Sequence, residues 1–406
     1  MDNQTKEEKI KEILTRGVEQ VVDQEHLEER LLSGEVFNVK HGVDPTGPRI
    51  HLGRAAQLLK LRDFQEMGHK ITLIIGDFTA QIGDASDKTA MRQPISEEKI
   101  KENMVDYLPQ IGRVLDLEKT KIYYNSEWLS RLTVKNLFLI AQNFTAQQMI
   151  QRRNFKERWE QEKPIGFHEL LYPMFQGYDS VAIRSDLEVG GYDQLFNLQT
   201  GRTVQKFFGQ KPQDIMALKM ICGLDGRKMS TSWGNVINMA DDARQMYGLV
   251  MSMRDETMFD YFELCTRVPM ERIFDLKKGY ESGKINPRDI KKELAGEIVS
   301  IFHGKEEAVS AEKEFENIFK EKGLPSDISQ TEIEEGELGI LDLLLALKLA
   351  SSKSDAKRLV SQKGVRMGFG EGDLEVKDDW QEKIKAEEGL IVQVGKRKFA
   401  KVRKKG

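Results

Sequence analysis

The order of apolar and polar positions near the start of the chain predicts a strand, a turn, a helix and a second strand. Apolar residues recur at helical spacing between positions 55 and 64, and Gly68 ends that pattern. The short apolar runs 36–39 and 71–75 flank this helix and are typical of buried strands. Together these segments form a βαβ unit, which closes right-handedly into a parallel sheet.

Further apolar runs, separated by helical patterns, extend the predicted sheet at 121–124, 187–190 and 215–221. We therefore predict a doubly wound α/β domain over residues 1–239, with a helix at its start. Ligands of such sheets bind at the carboxyl ends of the strands. Asp44 and Asp77 each follow a predicted strand, so we expect both at that edge.

The rest of the chain has a different pattern. Apolar positions over 240–324 are helical, with one helix beginning at Pro287. Residues 325–337 are acidic with little apolar content, which is typical of a linker. A third unit over 338–406 combines helical and extended patterns. The predicted fold class is therefore α/β with a doubly wound parallel sheet, followed by an α-helical domain and a small α+β module.

Composition indicates a globular protein of several domains, because 39% of the 406 residues are apolar and 32% are charged. The first 20 residues are rich in Lys and Glu and lack an apolar segment, unlike a secretory signal. The most apolar run, 338–350, is too short to cross a bilayer and contains two charges. We therefore expect no membrane segment and a cytoplasmic location.

Cysteine content and charge distribution bear on whether the protein has a metal site, a disulfide or a nucleic-acid contact. Cys222 and Cys265 lack the close partners of a zinc site, so we expect no disulfide and no metal held by side chains. The formal net charge is -4, yet basic residues crowd the C-terminus. A nucleic-acid contact and a merely solvated tail both remain possible for these positions: Lys396, Arg397, Lys398, Lys401, Arg403, Lys404 and Lys405.

Two short motifs carry the candidate chemistry. His51-Leu52-Gly53-Arg54 opens the first predicted helix, where free backbone N–H groups attract phosphate. Lys228-Met229-Ser230-Thr231-Ser232 lies in a glycine-rich loop and joins a lysine to hydroxyl side chains. Such a loop suits a mobile phosphate clamp.

These motifs resemble the two signatures of class I aminoacyl-tRNA synthetases, and more narrowly those of bacterial tyrosyl-tRNA synthetases. The narrower resemblance rests on the segments Gly42-Val43-Asp44-Pro45-Thr46, Ile82-Gly83-Asp84, 172–179 and 190–197, which occur in the family's order. It covers nearly the whole chain. It implies a Rossmann-type catalytic domain, an anticodon-side helical domain over 240–324 and an RNA-binding module over 338–406 like that of a small-subunit ribosomal protein.

The resemblance also implies the reaction and its partners. Tyrosine and ATP would form tyrosyl-adenylate and pyrophosphate, and the tyrosyl group would pass to the terminal ribose of tRNA(Tyr). Mg²⁺ would accompany ATP, and the enzyme would be a homodimer. No covalent intermediate with the protein is needed, so orientation and charge stabilisation are the expected contributions of the site.

The predicted catalytic residues contact the phosphates or stabilise their charge: Thr46, His51, Arg54, Lys88, Arg92, Lys228 and Thr231. The predicted ATP-binding residues are Asp44, Gly53, Gly191, Asp193 and Lys228. Taken alone, His51 would be an ordinary helix-start residue and Lys228 a solvated lysine; the surrounding motifs favour function. Lys88 and Arg92 could equally belong to a merely solvated loop, and the two glycines at 190–191 to a plain tight turn.

A polar stripe carries the predicted tyrosine site. Tyr172, Gln176 and Asp179 have the spacing i, i+4 and i+7, so a helix would present them on one face, with Pro173 distorting its start. By resemblance Asp179 accepts from the tyrosine hydroxyl, while the ammonium group is surrounded by Asp84, Tyr172, Gln176 and Gln194. The predicted RNA-binding residues of the third unit are Lys353, Lys357, Arg358, Lys363 and Arg366.

The chain departs from the family pattern at four positions. Arg54 replaces a histidine and Thr231 a lysine, which predicts slower activation or compensation by Arg227. Tyr192 replaces a small hydroxyl residue, and Lys40 stands where some relatives have a tyrosine that touches the substrate hydroxyl. Two alternatives therefore remain: a tryptophanyl-type enzyme, or an RNA-binding protein that kept the scaffold and lost catalysis.

Overall fold

A computed structural model gives the structure of residues 5–85, 94–229, 233–320, 328–333, 336–369, 374–395 and 398–404, with the side chains of 318–320 left aside. The chain forms two compact units. The first comprises Met1–Asp241 and Ser252–Phe302, and the second comprises Asp242–Met251 and His303–Gly406.

The first unit is built on a sheet with the strands β1 (Val18–Val22), β2 (Asn38–Val43), β3 (Lys70–Ile75), β4 (Thr120–Tyr124), β5 (Leu187–Gly191) and β6 (Asp214–Leu218). Their spatial order is β1-β6-β5-β2-β3-β4, and every neighbouring pair is parallel except β1 with β6. The chain moves outward from β2 through β3 to β4, then returns to β5 on the other side of β2. The order therefore reverses between β2 and β5, where a doubly wound sheet leaves a crevice.

Helices connect these strands and follow the last of them. Up to β6 they are α1 (Lys6–Thr15), α2 (Gln24–Leu32), α3 (Leu52–Glu66), α4 (Thr79–Ile82), α5 (Glu97–Met104), α6 (Tyr107–Ile111), α7 (Ser126–Leu129), α8 (Val134–Ala141), α9 (Ala146–Ile150), α10 (Arg153–Glu160), α11 (Phe167–Ile183) and α12 (Leu195–Phe207). After β6 come α13 (Ala243–Met251), α14 (Met258–Cys265), α15 (Met270–Glu281), α16 (Pro287–His303) and α17 (Lys305–Lys320).

The predicted βαβ unit is confirmed as β2, α3 and β3. The helix α3 buries the apolar face that its spacing predicted, and Gly68 follows it with a φ of +90°, a conformation that favours glycine. The strands predicted at 121–124, 187–190 and 215–221 are also present within a few residues. The sequence missed β1, since none of its residues is fully buried and it lies at the edge of the sheet.

The helices predicted as one domain over 240–324 are divided between the two units. In the second unit α13 packs against α17, with the rings of Tyr247 and Phe315 centred 5.4 Å apart. In the first unit α14 packs against α3, and the buried Arg16 donates to the carbonyl oxygens of Thr266 and Val268. Apolar spacing predicts that a helix has a buried face but not which neighbour covers it.

The second unit continues with β7 (Ser329–Ile333), β8 (Gly336–Gly339), α18 (Ile340–Ala346), α19 (Lys353–Ser361), β9 (Val365–Gly368), β10 (Glu375–Lys377), β11 (Lys383–Ala386), β12 (Ile391–Val394) and β13 (Lys398–Lys404). One sheet has the order β10-β9-β12-β13-β7, and β8 pairs with β11. The two helices and the strands share a core that includes Leu343, Leu344, Val360 and Val392. This is the small α+β module that the sequence predicted.

Part of the predicted acidic linker over 325–337 is a strand instead. Residues 329–333 form β7, which pairs in parallel with β13 at the edge of the sheet. Among its side chains only Ile333 is buried, so the composition gave little indication of a strand. The strand is held by backbone hydrogen bonds to β13. Its composition does not show this pairing, because few of its side chains are apolar.

None of the helices in the described ranges is long and apolar enough to cross a membrane. Cys265 is buried, Cys222 is half-buried, and both are free thiols.

Candidate active site

A cavity of about 760 Å³ lies at the carboxyl ends of β2 and β5, where the strand order reverses. Both signature motifs and the polar stripe of α11 contribute to its wall. Of the predicted site residues it is lined by Asp44, Thr46, His51, Gly53, Arg54, Asp84, Tyr172, Gln176, Asp179, Asp193, Gln194 and Lys228. Gly191 follows the lining residue Gly190 at the end of β5.

His51 stands at the start of α3 with an extended backbone, as the sequence predicted. Its side chain makes no capping hydrogen bond, and its buried Nδ1 has no partner within the described part of the chain. Burial, helped by the charge of Arg54, lowers the pKa of His51 to about 4, so the ring is neutral at pH 7. A buried nitrogen without a partner costs free energy, which a ligand in the cavity would recover.

Two glycines keep the nucleotide side of the cavity open. A Cβ atom at Gly191 would lie 2.6 Å from Asp193 Oδ1 and 3.0 Å from Met220 Sδ, so a larger residue would displace these two side-chain ends. A Cβ atom at Gly53 would crowd both His51 Nδ1 and Met229 Sδ at 3.1 Å. Both positions therefore permit the close backbone approach predicted for ATP.

Arg54 is held by the turn that precedes it. Its Nη1 donates to the carbonyl oxygen of Asp44 at 3.0 Å and lies 2.9 Å from the hydroxyl of Tyr107. Its Nη2 lies 3.4 Å from Thr46 Oγ1. Arg54 thus fixes the backbone around Thr46 while its positive charge lines the cavity.

The sequence reasoning missed a second brace on the same turn. Asn103, Tyr107 and Gln110 have the spacing i, i+4 and i+7 across α5 and α6. Asn103 Nδ2 donates to the Pro45 carbonyl at 2.9 Å, and Gln110 Nε2 donates to the Pro48 carbonyl at 3.0 Å. Their i, i+4, i+7 spacing is the same pattern that predicted the tyrosine site, so the sequence could have indicated them.

The second signature places Lys228 at the rim of the cavity. Lys228 is exposed, its backbone bridges to Cys222, and its carbonyl accepts from Asn235 Nδ2 at 3.0 Å. Arg227 does not line the cavity; its guanidinium binds Asp225 and stacks over Trp233. These contacts do not support the prediction that Arg227 compensates for the lysine replaced by Thr231. The predicted catalytic residues Lys88, Arg92 and Thr231 lie outside the described residues.

The polar stripe of α11 is confirmed, since Tyr172, Gln176 and Asp179 all line the cavity. The helix begins at Phe167, so Pro173 lies inside it and not at its start. Tyr192, which departs from the family pattern, is 44% exposed and does not line the cavity.

Asp179 is a buried acid of the cavity wall, with 3% of its surface exposed. It accepts hydrogen bonds from Trp128 Nε1 at 2.7 Å and from Asn125 Nδ2 at 3.3 Å. Burial raises the pKa of Asp179 to about 7, although Lys40 and these two donors oppose the rise. Trp128 and Asn125 were not predicted, because neither belongs to a motif.

The predicted ammonium site contains a pair of side chains already in contact. Gln194 Nε2 donates to Asp84 Oδ2 at 2.6 Å, and Asn197 Nδ2 donates to Gln194 Oε1 at 2.8 Å. Arg152 Nη2 lies 3.9 Å from Asp84 Oδ1. The carboxylate of Asp84 is therefore fixed before any ligand arrives.

Asp44 joins the two halves of the site. Its carboxylate accepts from the Tyr172 hydroxyl at 2.9 Å and from Thr79 Oγ1 at 2.8 Å. Burial raises the pKa of Asp44 to about 6, while these hydrogen bonds oppose the rise. Asp44 was predicted to bind ATP, yet it also holds Tyr172 of the predicted tyrosine site.

Among the described residues, no group of three or more His, Cys, Asp or Glu side chains is placed to hold a metal ion. Within the second unit, the predicted RNA-binding residues cluster around α19. Lys353 pairs with Asp342, Lys357 lies over the ring of Trp380, Arg358 pairs with Asp355 and Lys363 with Asp378. Arg366 is exposed on β9.

Comparison with known proteins agrees with this geometry. Residues 32–320 match the family model described as tRNA synthetases class I (W and Y). The chain is similar to "Tyrosine-tRNA ligase" of Thermotoga maritima, with 43% identity over 98% of both chains. It is also similar to that of Haemophilus influenzae, with 44% identity over 96% of both chains.

Solved structures agree as well. The crystal structure of tyrosyl-tRNA synthetase complexed with L-tyrosine from Archaeoglobus fulgidus matches with a TM-score of 0.61 and 25% identity, over 76% of this chain and 100% of that one. A truncated mitochondrial tyrosyl-tRNA synthetase of Aspergillus nidulans has the same fold, with a TM-score of 0.62 and 20% identity, over 77% of this chain and 94% of that one. The chain therefore belongs to the class I tRNA synthetases for tryptophan and tyrosine, and within them to the tyrosine-tRNA ligases that its motifs predicted.

Proposed function

We propose that this tyrosine-tRNA ligase carries out its first reaction in the cavity between β2 and β5. An oxygen of the tyrosine carboxylate attacks the α-phosphate of ATP, an oxygen–phosphorus bond forms, and pyrophosphate leaves with its bonding electrons. The ribose hydroxyl of tRNA(Tyr) then attacks the activated carbonyl carbon, loses its proton and displaces AMP. The convergence of both signatures and the α11 stripe on one cavity is the observation that carries this proposal.

On the nucleotide side, His51 and Lys228 contact the phosphates. His51 is neutral and offers a nitrogen that has no partner within the described chain, whereas Lys228 brings a positive charge to the charge that develops as pyrophosphate leaves. Gly53 and Gly191 admit the nucleoside, and Asp193 lies where a ribose hydroxyl would reach it.

Arg54 and Thr46 hold the phosphate-binding turn in place, so Arg54 acts both as a brace and as a positive charge at the cavity wall. Lys88, Arg92 and Thr231 stay predictions from the resemblance. Mg²⁺ enters as the ATP complex, held by the phosphates, since we propose no protein ligands for it.

On the tyrosine side, Asp179 accepts from the substrate hydroxyl. Gln176, Asp84 and Gln194 surround the ammonium group, and Tyr172 acts partly through its hydrogen bond to Asp44. A buried acceptor left without its partner is costly, which explains rejection of phenylalanine; tyrosyl-tRNA synthetases are themselves the established example of this effect. An indole N–H could also donate to Asp179, so tryptophan is the competitor to test.

The decisive experiment is pyrophosphate exchange into ATP with tyrosine, phenylalanine or tryptophan offered separately. Exchange with tyrosine alone, lost in Lys228→Ala and kept in the matched exposed-lysine control Lys99→Ala, is the expected result. Exchange with tryptophan alone would assign a tryptophanyl enzyme. No exchange with any amino acid, together with tRNA binding, would favour an RNA-binding protein without catalysis.

The basic face of the second unit supports a contact with tRNA. Lys353, Lys357 and Arg358 lie on α19, and Lys363 and Arg366 follow it, so their charges can meet the phosphate backbone. We expect Arg366→Glu to raise the KM for tRNA in aminoacylation and to leave tyrosine-dependent pyrophosphate exchange unchanged. Equal loss in both assays would point to misfolding.

A homodimer is supported by apolar side chains exposed on the first unit. Val134 and Phe138 of α8 are 86% and 62% exposed, and Phe167 at the start of α11 is 75% exposed. Val134 and Phe138 are one helical turn apart on α8, and neighbouring exposed apolar side chains of this kind favour an association site there. We expect light scattering to give twice the chain mass, and Phe138→Glu to shift it towards one chain mass. Since charging of tRNA serves protein synthesis, we assign the enzyme to the cytoplasm.

A further inference from the structure

A buried ion pair lies at the tyrosine side of the cavity, where Glu188 contributes to the wall and Lys40 does not. Lys40 on β2 and Glu188 on β5 are register partners on neighbouring parallel strands, and Lys40 Nζ lies 2.9 Å from Glu188 Oε1. Their side chains are 0% and 1% exposed. A buried ion pair contributes little net stability compared with apolar residues of similar size, so stability alone does not account for it.

The pair forms hydrogen bonds with both the main chain and the side chain of Gln176. Lys40 Nζ donates to the main-chain carbonyl of Gln176 at 2.8 Å and to Ser180 Oγ at 2.7 Å. Glu188 Oε1 accepts from Gln176 Nε2 at 3.0 Å, and Glu188 Oε2 accepts from Gln213 Nε2. The ammonium of Lys40 thus has three acceptors, and the carboxylate of Glu188 is saturated with donors.

These hydrogen bonds determine which side-chain atom of Gln176 is left for a ligand. Because Nε2 donates to Glu188, the amide oxygen Oε1 is the remaining polar atom of a side chain that lines the cavity. An oxygen attracts an ammonium group, whereas the opposite amide orientation would present N–H groups to it. Glu188 therefore selects the orientation that fits an amino acid.

Lys40 also acts on Asp179, which follows Gln176 by three residues on the same helix face. Among the groups near Asp179, Glu188 is a second buried carboxylate and Lys40 is the positive charge that offsets it. Without Lys40, burial and the charge of Glu188 would raise the pKa of Asp179 further, so more of its carboxylate would be protonated. A protonated Asp179 would no longer be a pure acceptor.

We propose that Lys40 and Glu188 are positioning residues for amino-acid recognition, which fix the Gln176 amide for the substrate ammonium and keep Asp179 as an acceptor for its hydroxyl. This inference rests on the proposed activation of tyrosine. Lys40 does not line the cavity, and the carboxylate of Glu188, which does, is already occupied by Lys40, Gln176 and Gln213, so both residues act through α11.

The test separates positioning from simple folding. Lys40→Met is expected to raise the KM for tyrosine in pyrophosphate exchange about tenfold or more, to change the KM for ATP about twofold at most, and to reduce the preference for tyrosine over phenylalanine. The neutral double variant Lys40→Met with Glu188→Gln removes both buried charges. It should regain thermal stability without regaining the wild-type KM for tyrosine.

A matched control is another buried pair of the first unit, Arg158 and Glu169, with side chains 1% and 0% exposed and 2.7 Å between Arg158 Nη2 and Glu169 Oε2. Neither lines the cavity. Arg158→Met with Glu169→Gln should leave the KM for tyrosine unchanged, whatever change in melting temperature it causes.

Two outcomes would overturn the inference. If the Lys40 and Glu188 double variant restores both stability and the KM for tyrosine, the pair is merely structural. If Lys40→Met folds with unchanged tyrosine kinetics, the pair has no positioning role. In both cases wild-type exchange with tyrosine keeps the proposed function intact, whereas a wild type inactive with tyrosine would overturn the function and this inference together.

Discussion

The two halves of the cavity differ in how far their polar groups are satisfied before a ligand arrives. On the tyrosine side, Asp179 is buried and already accepts from Trp128 and Asn125. On the nucleotide side, His51 Nδ1 has no partner in the described chain, and Lys228 stands on an exposed loop.

This difference matches two kinds of chemical task. Discrimination between similar amino acids requires a fixed set of acceptors, because an unpaired buried group then penalises the wrong substrate. Charge stabilisation during phosphate transfer requires donors that meet the charge as it develops. We therefore expect variants of the nucleotide side to lower kcat and variants of the tyrosine side to raise the KM for tyrosine.

Lys228→Ala should give the largest effect. Loss of a positive charge at the developing pyrophosphate is expected to lower kcat for exchange about 10²-fold to 10³-fold, with little change in the KM for tyrosine. Steady-state exchange at varied tyrosine concentration measures both. A large rise in the KM for tyrosine with kcat unchanged would contradict the division between the two halves.

Asp179→Asn should act mainly on the KM for tyrosine and not on kcat. Replacing the carboxylate acceptor is expected to lower kcat/KM for tyrosine about 100-fold and to change that for phenylalanine about threefold at most, because phenylalanine has no hydroxyl to place there. Comparing the two amino acids in the same assay measures the discrimination directly. Equal losses for both would mean that Asp179 serves the fold and not the hydroxyl.

A pH dependence of the KM for tyrosine should follow mainly from Asp179. Burial raises its pKa to about 7, so the accepting, ionised form decreases from about nine-tenths at pH 8 to about one-tenth at pH 6. The KM for tyrosine should therefore rise as pH falls through 7. His51, with a pKa of about 4, stays neutral over this range.

The matched control for this pH profile is Asp179→Asn, in which the rise through pH 7 should disappear. Any rise that remains nearer pH 6 would be assigned to Asp44, whose pKa burial raises to about 6. A wild-type KM for tyrosine that stays flat between pH 6 and 8 would contradict the role given to Asp179.

Tyr107→Phe should give the smallest effect. It removes the hydroxyl contact to Arg54 Nη1, a hydrogen bond worth about 1 kcal/mol, so kcat for exchange should fall about fivefold with the KM for tyrosine unchanged. Exchange kinetics and a melting curve test this. If only the melting temperature falls, the brace on the turn is needed for folding and not for catalysis.

Several parts of this site were predictable from spacing in the sequence. His51 at a helix start, the α11 stripe and the glycines at 190–191 are local features, and a local pattern fixes which face a residue occupies. Trp128 and Asn125 were not predictable, because they reach Asp179 from an element about fifty positions earlier. The same holds for Gln110, which reaches the turn at Pro48 from α6.

By itself the sequence determined the strands β2 to β6, several helices, the family and the residues whose motifs carry chemistry, because these depend on periodicity and on short segments. Only the tertiary structure decided that Lys40 pairs with Glu188, that Asp44 holds Tyr172 and that residues 329–333 form a strand. These contacts join segments distant along the chain. Their energies depend on burial and strand register, which local composition does not contain.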